Sequence, residues 1–256
     1  MGEIMRIPAV FLLLLAAAAL AAAPAAPAQS ANWGYYGHTG PLVWGKLDRS
    51  YEACSKGHEQ SPVDIRNAHL DKALQPIEFH YVAGPLTLVN DGRTVNVTPD
   101  PGSYIVAGGV RYDLVQIHFH HPSEHAIRGK LTDLEVHLVH KSADGKFAVV
   151  AILFTENAGF PNATVATLWE HMPTTVGGTQ KIADMVSPAG FLPADRGYWA
   201  YTGSLTEPPC TEGVQWFVFE QSNSISREQL RAFAALYKMN TRPLQDLHGR
   251  RIEADK

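Results

Sequence analysis

The chain has 256 residues, 45% of them hydrophobic and 18% charged, with a formal net charge of -4. So large an apolar share excludes a disordered chain, and the length suffices for a buried core. The absence of any lysine or arginine cluster excludes nucleic acid and an anionic membrane surface as partners.

Residues 7–23 (IPAVFLLLLAAAALAAA) form an unbroken apolar run behind a start that carries Arg6. The run is at or below the lower length limit for a spanning helix, and Pro24 and Pro27 end it. With the small-x-small tripeptide Ala26-Pro27-Ala28, residues 1–28 read as a secretory signal, and the mature chain is expected to begin near Gln29. Export to the periplasm or beyond then leaves two readings for Cys54 and Cys210, a bridge or two buried thiols. No stable membrane insertion of the mature chain is expected.

Beyond the signal, short β-rich runs follow one another at residues 86–90, 94–98, 112–120, 134–140, 147–154 and 214–220. The tight-turn signals NDG and ADGK separate consecutive runs, which predicts antiparallel pairing. Helix signals are fewer. Asn162 can cap ATVATLWEHM, and Ser226 with Gln229 has the pattern of a capping box ahead of LRAFAAL. The expectation is a mainly β single domain over residues 29–256, a large and mostly antiparallel sheet with short peripheral helices. Oligomeric state is left open, a homodimer included.

Half of the 12 histidines fall between His118 and His140. Alternate residues of a strand share a face, so His118 and His120 project together while Ile117 and Phe119 point away. In LEVHLVH, Glu135 and His137 share one face and His140 takes the other. If these two strands are neighbours, three imidazoles converge, and burying several unpaired imidazoles is costly unless a metal offsets the cost. Imidazoles without thiolates suit zinc, and three protein ligands leave a fourth tetrahedral position open, the arrangement of a catalytic site. Gln116, on the face of His118, and Glu135, on that of His137, are placed to hold the rings through their other nitrogens. The run HFHHPSEHAIRG also reads as the first metal motif of a cupin, with Glu124 as a fourth ligand. The second cupin motif is missing from the chain.

Several separate stretches carry a more specific likeness: WGYYGHTGP at 33–41, QSPVDI at 60–65, QIHFH with SEH, EVHLVH, GSLTEPPC at 203–210, VQW, and NTRPLQ at 240–245. In this order they resemble the α-class carbonic anhydrases, in particular the shorter, exported bacterial form. The resemblance implies that family's fold on a large, twisted sheet, a Zn2+ cofactor, and carbon dioxide and bicarbonate as substrates, interconverted by zinc-hydroxide attack. It implies His118, His120 and His137 as zinc ligands, with Gln116, Glu135 and Asn240 supporting them. Thr206 would accept a hydrogen bond from the hydroxide and pass its own proton toward Glu124. Val139, Val149, Leu205 and Trp216 would form an apolar wall for carbon dioxide, and Tyr35, Asn90, Asp91 and Asn96 the polar side opposite. Cys54 and Cys210 match a family disulfide, His125 and His140 match structural hydrogen-bonding positions, and hydrolysis of reactive esters is an implied side activity. A non-catalytic relative used as a binding module is the contrasting class, and loss of a ligand histidine is a feature of such relatives. All three are present here.

Two positions depart from the family pattern. Where many relatives carry a proton-relaying histidine at the cavity mouth, this chain has Arg93, whose guanidinium stays protonated and cannot accept a proton in transit. Where a small hydroxyl residue commonly follows the threonine, it has Glu207. Turned inward, that carboxylate would oppose hydroxide formation; turned outward, it would be free to relay protons.

Overall fold

The run FAVVAILF contains no polar residue because both of its faces are covered. Strand Phe147–Glu156 sends Ala148, Val150, Ile152 and Phe154 into one apolar core and Val149, Ala151 and Leu153 into a second. Such a run marks a strand buried on both sides. The computed structural model containing it describes residues 1–2, 32–157 and 159–256. All but the first two residues of the expected signal lie outside the described residues.

Around this strand a 13-stranded sheet is built. Its main path runs through Thr179–Val186, Gly84–Asn90, Val95–Pro99, Val110–His120, Leu134–Ser142, Phe147–Glu156, Glu212–Phe219, Tyr198–Ser204, Ile252–Ala254 and Ala68–Leu70. The fold is mainly β, and most pairings are antiparallel, as the turn signals predict. One central junction is parallel: Phe147–Glu156 pairs with Glu212–Phe219, placing Val149 beside Trp216. Parallel neighbours need a long crossover rather than a hairpin, and residues 157–211 supply it. The larger core lies on the face of Val136 and Leu138, and the smaller on the face of Val139.

Both helix starts are capped as their sequences predict. The Asn162 side chain accepts from the Val165 amide at the head of Ala163–Glu170, and Ser226 and Gln229 cap each other reciprocally ahead of Arg227–Leu236. Four strands of the main path, Thr179–Val186, Tyr198–Ser204, Ile252–Ala254 and Ala68–Leu70, are absent from the sequence expectation. Ile182 alone of Thr179–Val186 is fully buried, so that strand shows no apolar alternation. The NDG turn needs its glycine. Gly92 sits at φ +86°, and a Cβ there would meet Val176 Cγ1 at 3.1 Å. No helix among the described residues is long and apolar enough to cross a membrane.

Candidate metal centre

The pairing of Val110–His120 with Leu134–Ser142 sets His137 directly opposite His118, and alternation adds His120 on the same face. Ring centroids lie 5.0 Å apart for His118 and His120, 5.1 Å for His118 and His137, and 4.6 Å for His120 and His137. All three residues are buried. Burial holds each ring below its ordinary pKa, His120 at about 4 and His118 well down, which keeps the imidazoles neutral. Neutral imidazole is the form that ligates a metal.

For His120 and His137 the second nitrogen shows which atom is left for an ion, whereas His118 Nδ1 has no hydrogen-bond partner. His120 Nδ1–H donates to the Asn240 carbonyl at 2.7 Å, so Nε2 carries the lone pair, and it has no hydrogen-bond partner. His137 Nε2–H donates to Glu135 Oε1 at 2.8 Å, which turns Nδ1 toward His118 Nε2, 3.2 Å away. Two nitrogens sharing a tetrahedral zinc at ordinary bond lengths sit about 3.3 Å apart. The donor set and its spacing therefore fit such an ion. Nitrogens of these three rings all fall within 4.8 Å of one another. Glu124 is not in this cluster, although its Oε2 is 3.5 Å from His120 Nε2.

A second grouping, His125, Glu135 and His137, is held by hydrogen bonds instead. Glu135 Oε1 accepts from His125 Nδ1–H at 2.7 Å as well as from His137, and Oε2 accepts from the amides of Glu124 and His125, both at 2.8 Å. Burial alone would raise the pKa of Glu135, but the two imidazoles and these donors hold it well below the usual carboxylate range. His125 Nε2 accepts from the Tyr201 hydroxyl at 2.7 Å, so this cluster has no open corner.

Beside the histidines lies a cavity of about 330 Å³ lined by His118, His137, Val139, Val149, Leu205, Thr206, Glu207 and Trp216. Sheet register assembles its apolar side, with Val139 opposite Val149 and Val149 beside Trp216. On the polar side, Gln116 donates to Asn96 Oδ1 at 2.7 Å rather than bonding His118, and Asn96 donates to Asp91 Oδ2 at 3.0 Å. Asn90 is spent on the turn, accepting from Gly92 N–H and donating to the Pro173 carbonyl.

Residues 39–256 match the family model of eukaryotic-type carbonic anhydrases. The chain belongs to the α-carbonic anhydrase family. It is 38% identical over 224 residues to a carbonic anhydrase of Pectobacterium carotovorum, covering 87% of this chain and 91% of that one. It is 39% identical to one of Klebsiella pneumoniae, covering 86% and 90% respectively. Among solved structures, the α-carbonic anhydrase of Thermovibrio ammonificans, in complex with the inhibitor sulfanilamide, superposes with a TM-score of 0.85. The two are 38% identical over 88% of this chain and all of that one. The activity of the family is the hydration of carbon dioxide.

Both departures from the family pattern have defined positions. Glu207 is turned inward: it lines the cavity, and the Tyr35 hydroxyl donates to its Oε1 at 3.1 Å. Burial first, then the charges of Glu124 and Asp91, push its carboxyl up to about 7. Arg93 lies over the Trp33 ring at 4.2 Å, with Asp91 at 3.5 Å.

Sequence reasoning did not single out Arg242. Its amide donates to Glu124 Oε1 at 2.8 Å, and its guanidinium reaches the carbonyls of Ser61 and Cys54 at 2.7 and 2.9 Å. The motif NTRPLQ was the available signal. Cys54 and Cys210 are joined, which ties the segment after Thr206 to the cluster of Tyr35, Trp44 and Tyr51. The disulfide points to an oxidising compartment.

Proposed function

We propose that His118, His120 and His137 hold zinc in a carbonic anhydrase site, and that Thr206, Glu124 and the apolar wall complete it. The observation that carries this reading is the convergence of three buried, neutral imidazoles, two of them held by Glu135 and Asn240, at the end of an apolar-sided cavity. Zinc bound there supplies Lewis acidity that makes water a nucleophile at neutral pH, an effect for which this family is the standard illustration.

The chain's own groups do the positioning. Val139, Val149, Leu205 and Trp216 offer carbon dioxide, which has no net dipole, a surface without competing charge. Arg242 N–H holds one oxygen of Glu124, and Oε2 has no partner within hydrogen-bond geometry, which leaves it for the neighbouring Thr206 hydroxyl. With its proton committed to Glu124, Thr206 Oγ1 accepts rather than donates, and so orients the nucleophile.

Metal analysis together with stopped-flow hydration tests the proposal. One equivalent of zinc and rapid hydration are expected from the mature chain, and loss of both from His137→Ala. A chain that binds no zinc and hydrates no carbon dioxide would instead be a binding module on the same fold. Hydrolysis of reactive esters and inhibition by sulfanilamide are expected of the same site. Export through cleavage of residues 1–28 completes the proposal, with N-terminal sequencing of secreted protein as its check. Sedimentation separates a monomer from a homodimer.

A further inference from the structure

Each hydration releases a proton, and a group with a pKa near 7 delivers protons to bulk water only about 10³ times per second, because reprotonation is diffusion-limited. Faster turnover needs a carrier. Arg93 cannot be one, since guanidinium is always protonated and this one is stacked on Trp33.

The other titratable groups around the centre are engaged. His118, His120 and His137 face one another. His125 is enclosed between Glu135 and Tyr201, and His121 gives its Nδ1–H to the Asp133 carbonyl at 2.7 Å. Glu124 is fully buried and held by Arg242. Glu207 differs from all of these. It lines the inner cavity yet keeps partial solvent exposure. Its partner Tyr35 lines a second, outer cavity of about 590 Å³, together with Trp33, Asp91, Arg93 and Asn240. The 3.1 Å hydrogen bond thus links a residue that lines the inner cavity to one that lines the outer.

We propose, building on the zinc-enzyme reading above, that Glu207 and Tyr35 are the proton exit of this enzyme, taking the place of the missing histidine. The Glu207 carboxylate accepts the proton released when water adds to carbon dioxide, forming its O–H bond. With Glu207 protonated, the Tyr35 hydroxyl turns from donor to acceptor: the Glu207 O–H bond breaks as its proton passes to the Tyr35 oxygen, the phenol's own O–H bond breaks as that proton passes to water or buffer, and rotation of the new hydroxyl back toward the carboxylate restores the starting hydrogen bond. No net charge is left behind. The groups facing Glu207 support an exchange near neutrality. Burial and the carboxylates of Glu124 and Asp91 favour its acid form, Tyr35 and Arg93 favour its carboxylate, and the neutral rings of His118 and His137 line the same cavity. Tyr35 itself stays un-ionised, its pKa raised well above the ordinary value by burial and then by Glu207.

The test uses the zinc-loaded mature enzyme and the variants Glu207→Gln, Tyr35→Phe and Glu207→Gln with Arg93→His. Turnover is measured at low buffer and in concentrated imidazole-type buffer. In Glu207→Gln the ratio of high-buffer to low-buffer turnover is expected to rise at least fivefold, with a smaller rise in Tyr35→Phe. Addition of Arg93→His is expected to bring the ratio back down. In glutamate-labelled holoenzyme, the carboxyl ¹³C resonance absent from Glu207→Gln is expected to titrate between about pH 6 and 8, against about 4.3 for an ordinary glutamate. An unchanged ratio in Glu207→Gln, an equal loss in both buffers, or titration of that resonance near 4 would each overturn the proposal. Failure of the underlying reading shows separately, as a wild-type enzyme without zinc or without turnover even in concentrated buffer.

Discussion

Glu135 accepts four hydrogen bonds where no water competes: two from imidazoles and two from backbone amides. A glutamine of the same shape must present its NH2 either to the two imidazoles or to the two backbone amides, so Glu135→Gln either removes the acceptor that orients His137 or loosens the side chain that supplies it. We expect zinc affinity to fall by about 10–100-fold, measured by competition with a chelator. His140, on the opposite face of the same strand, is outside the group of three histidines. Its ring lies against Tyr81, whose hydroxyl is 2.9 Å from Nε2, and burial lowers its pKa to about 3. The folded-state value is depressed below the unfolded one of about 6.5, so His140 leaves stability untouched above that pH. As pH falls toward 3 the unfolded chain takes the proton first, and stability is lost. Urea midpoints of His140→Phe should therefore fall less steeply than wild type between about pH 6.5 and 3.

At the scale of elements, the site is a product of register. An antiparallel pairing puts His137 against His118, and a parallel one puts Trp216 beside Val149. A shift of one residue in either pair would turn the site's side chains to the wrong face. The same geometry makes the apolar wall easy to obstruct, because Val149 projects into a cavity of only about 330 Å³. Val149→Phe should lower carbon dioxide hydration by at least about a hundredfold through lost access and alignment. Its zinc content, measured by atomic absorption, should match wild type, because no ligand histidine is altered.

At the scale of the whole molecule, one covalent link spans 156 residues and fastens the loop carrying Thr206 and Glu207 to the N-terminal aromatic cluster. Constraint of so long a loop in the unfolded chain contributes about 5 kcal/mol in the loop-entropy account. Cys54→Ser with Cys210→Ser should show that loss in urea denaturation, and reduction of the wild type should reproduce it. Local features were legible without coordinates. Two-residue alternation placed His118 with His120 and Glu135 with His137, the capping residues marked both helix starts, and tight-turn signals pointed to antiparallel neighbours. These follow from covalent geometry acting over a few residues. Other features required the tertiary structure. The crossover that sets Trp216 beside Val149, the inward turn of Glu207 onto Tyr35, the diversion of Asn90 to its turn, and the hold of Arg242 on Glu124 all depend on distant segments. Which segments meet is decided by competition among non-local contacts for burial and hydrogen bonding, and that competition leaves no periodicity in the chain.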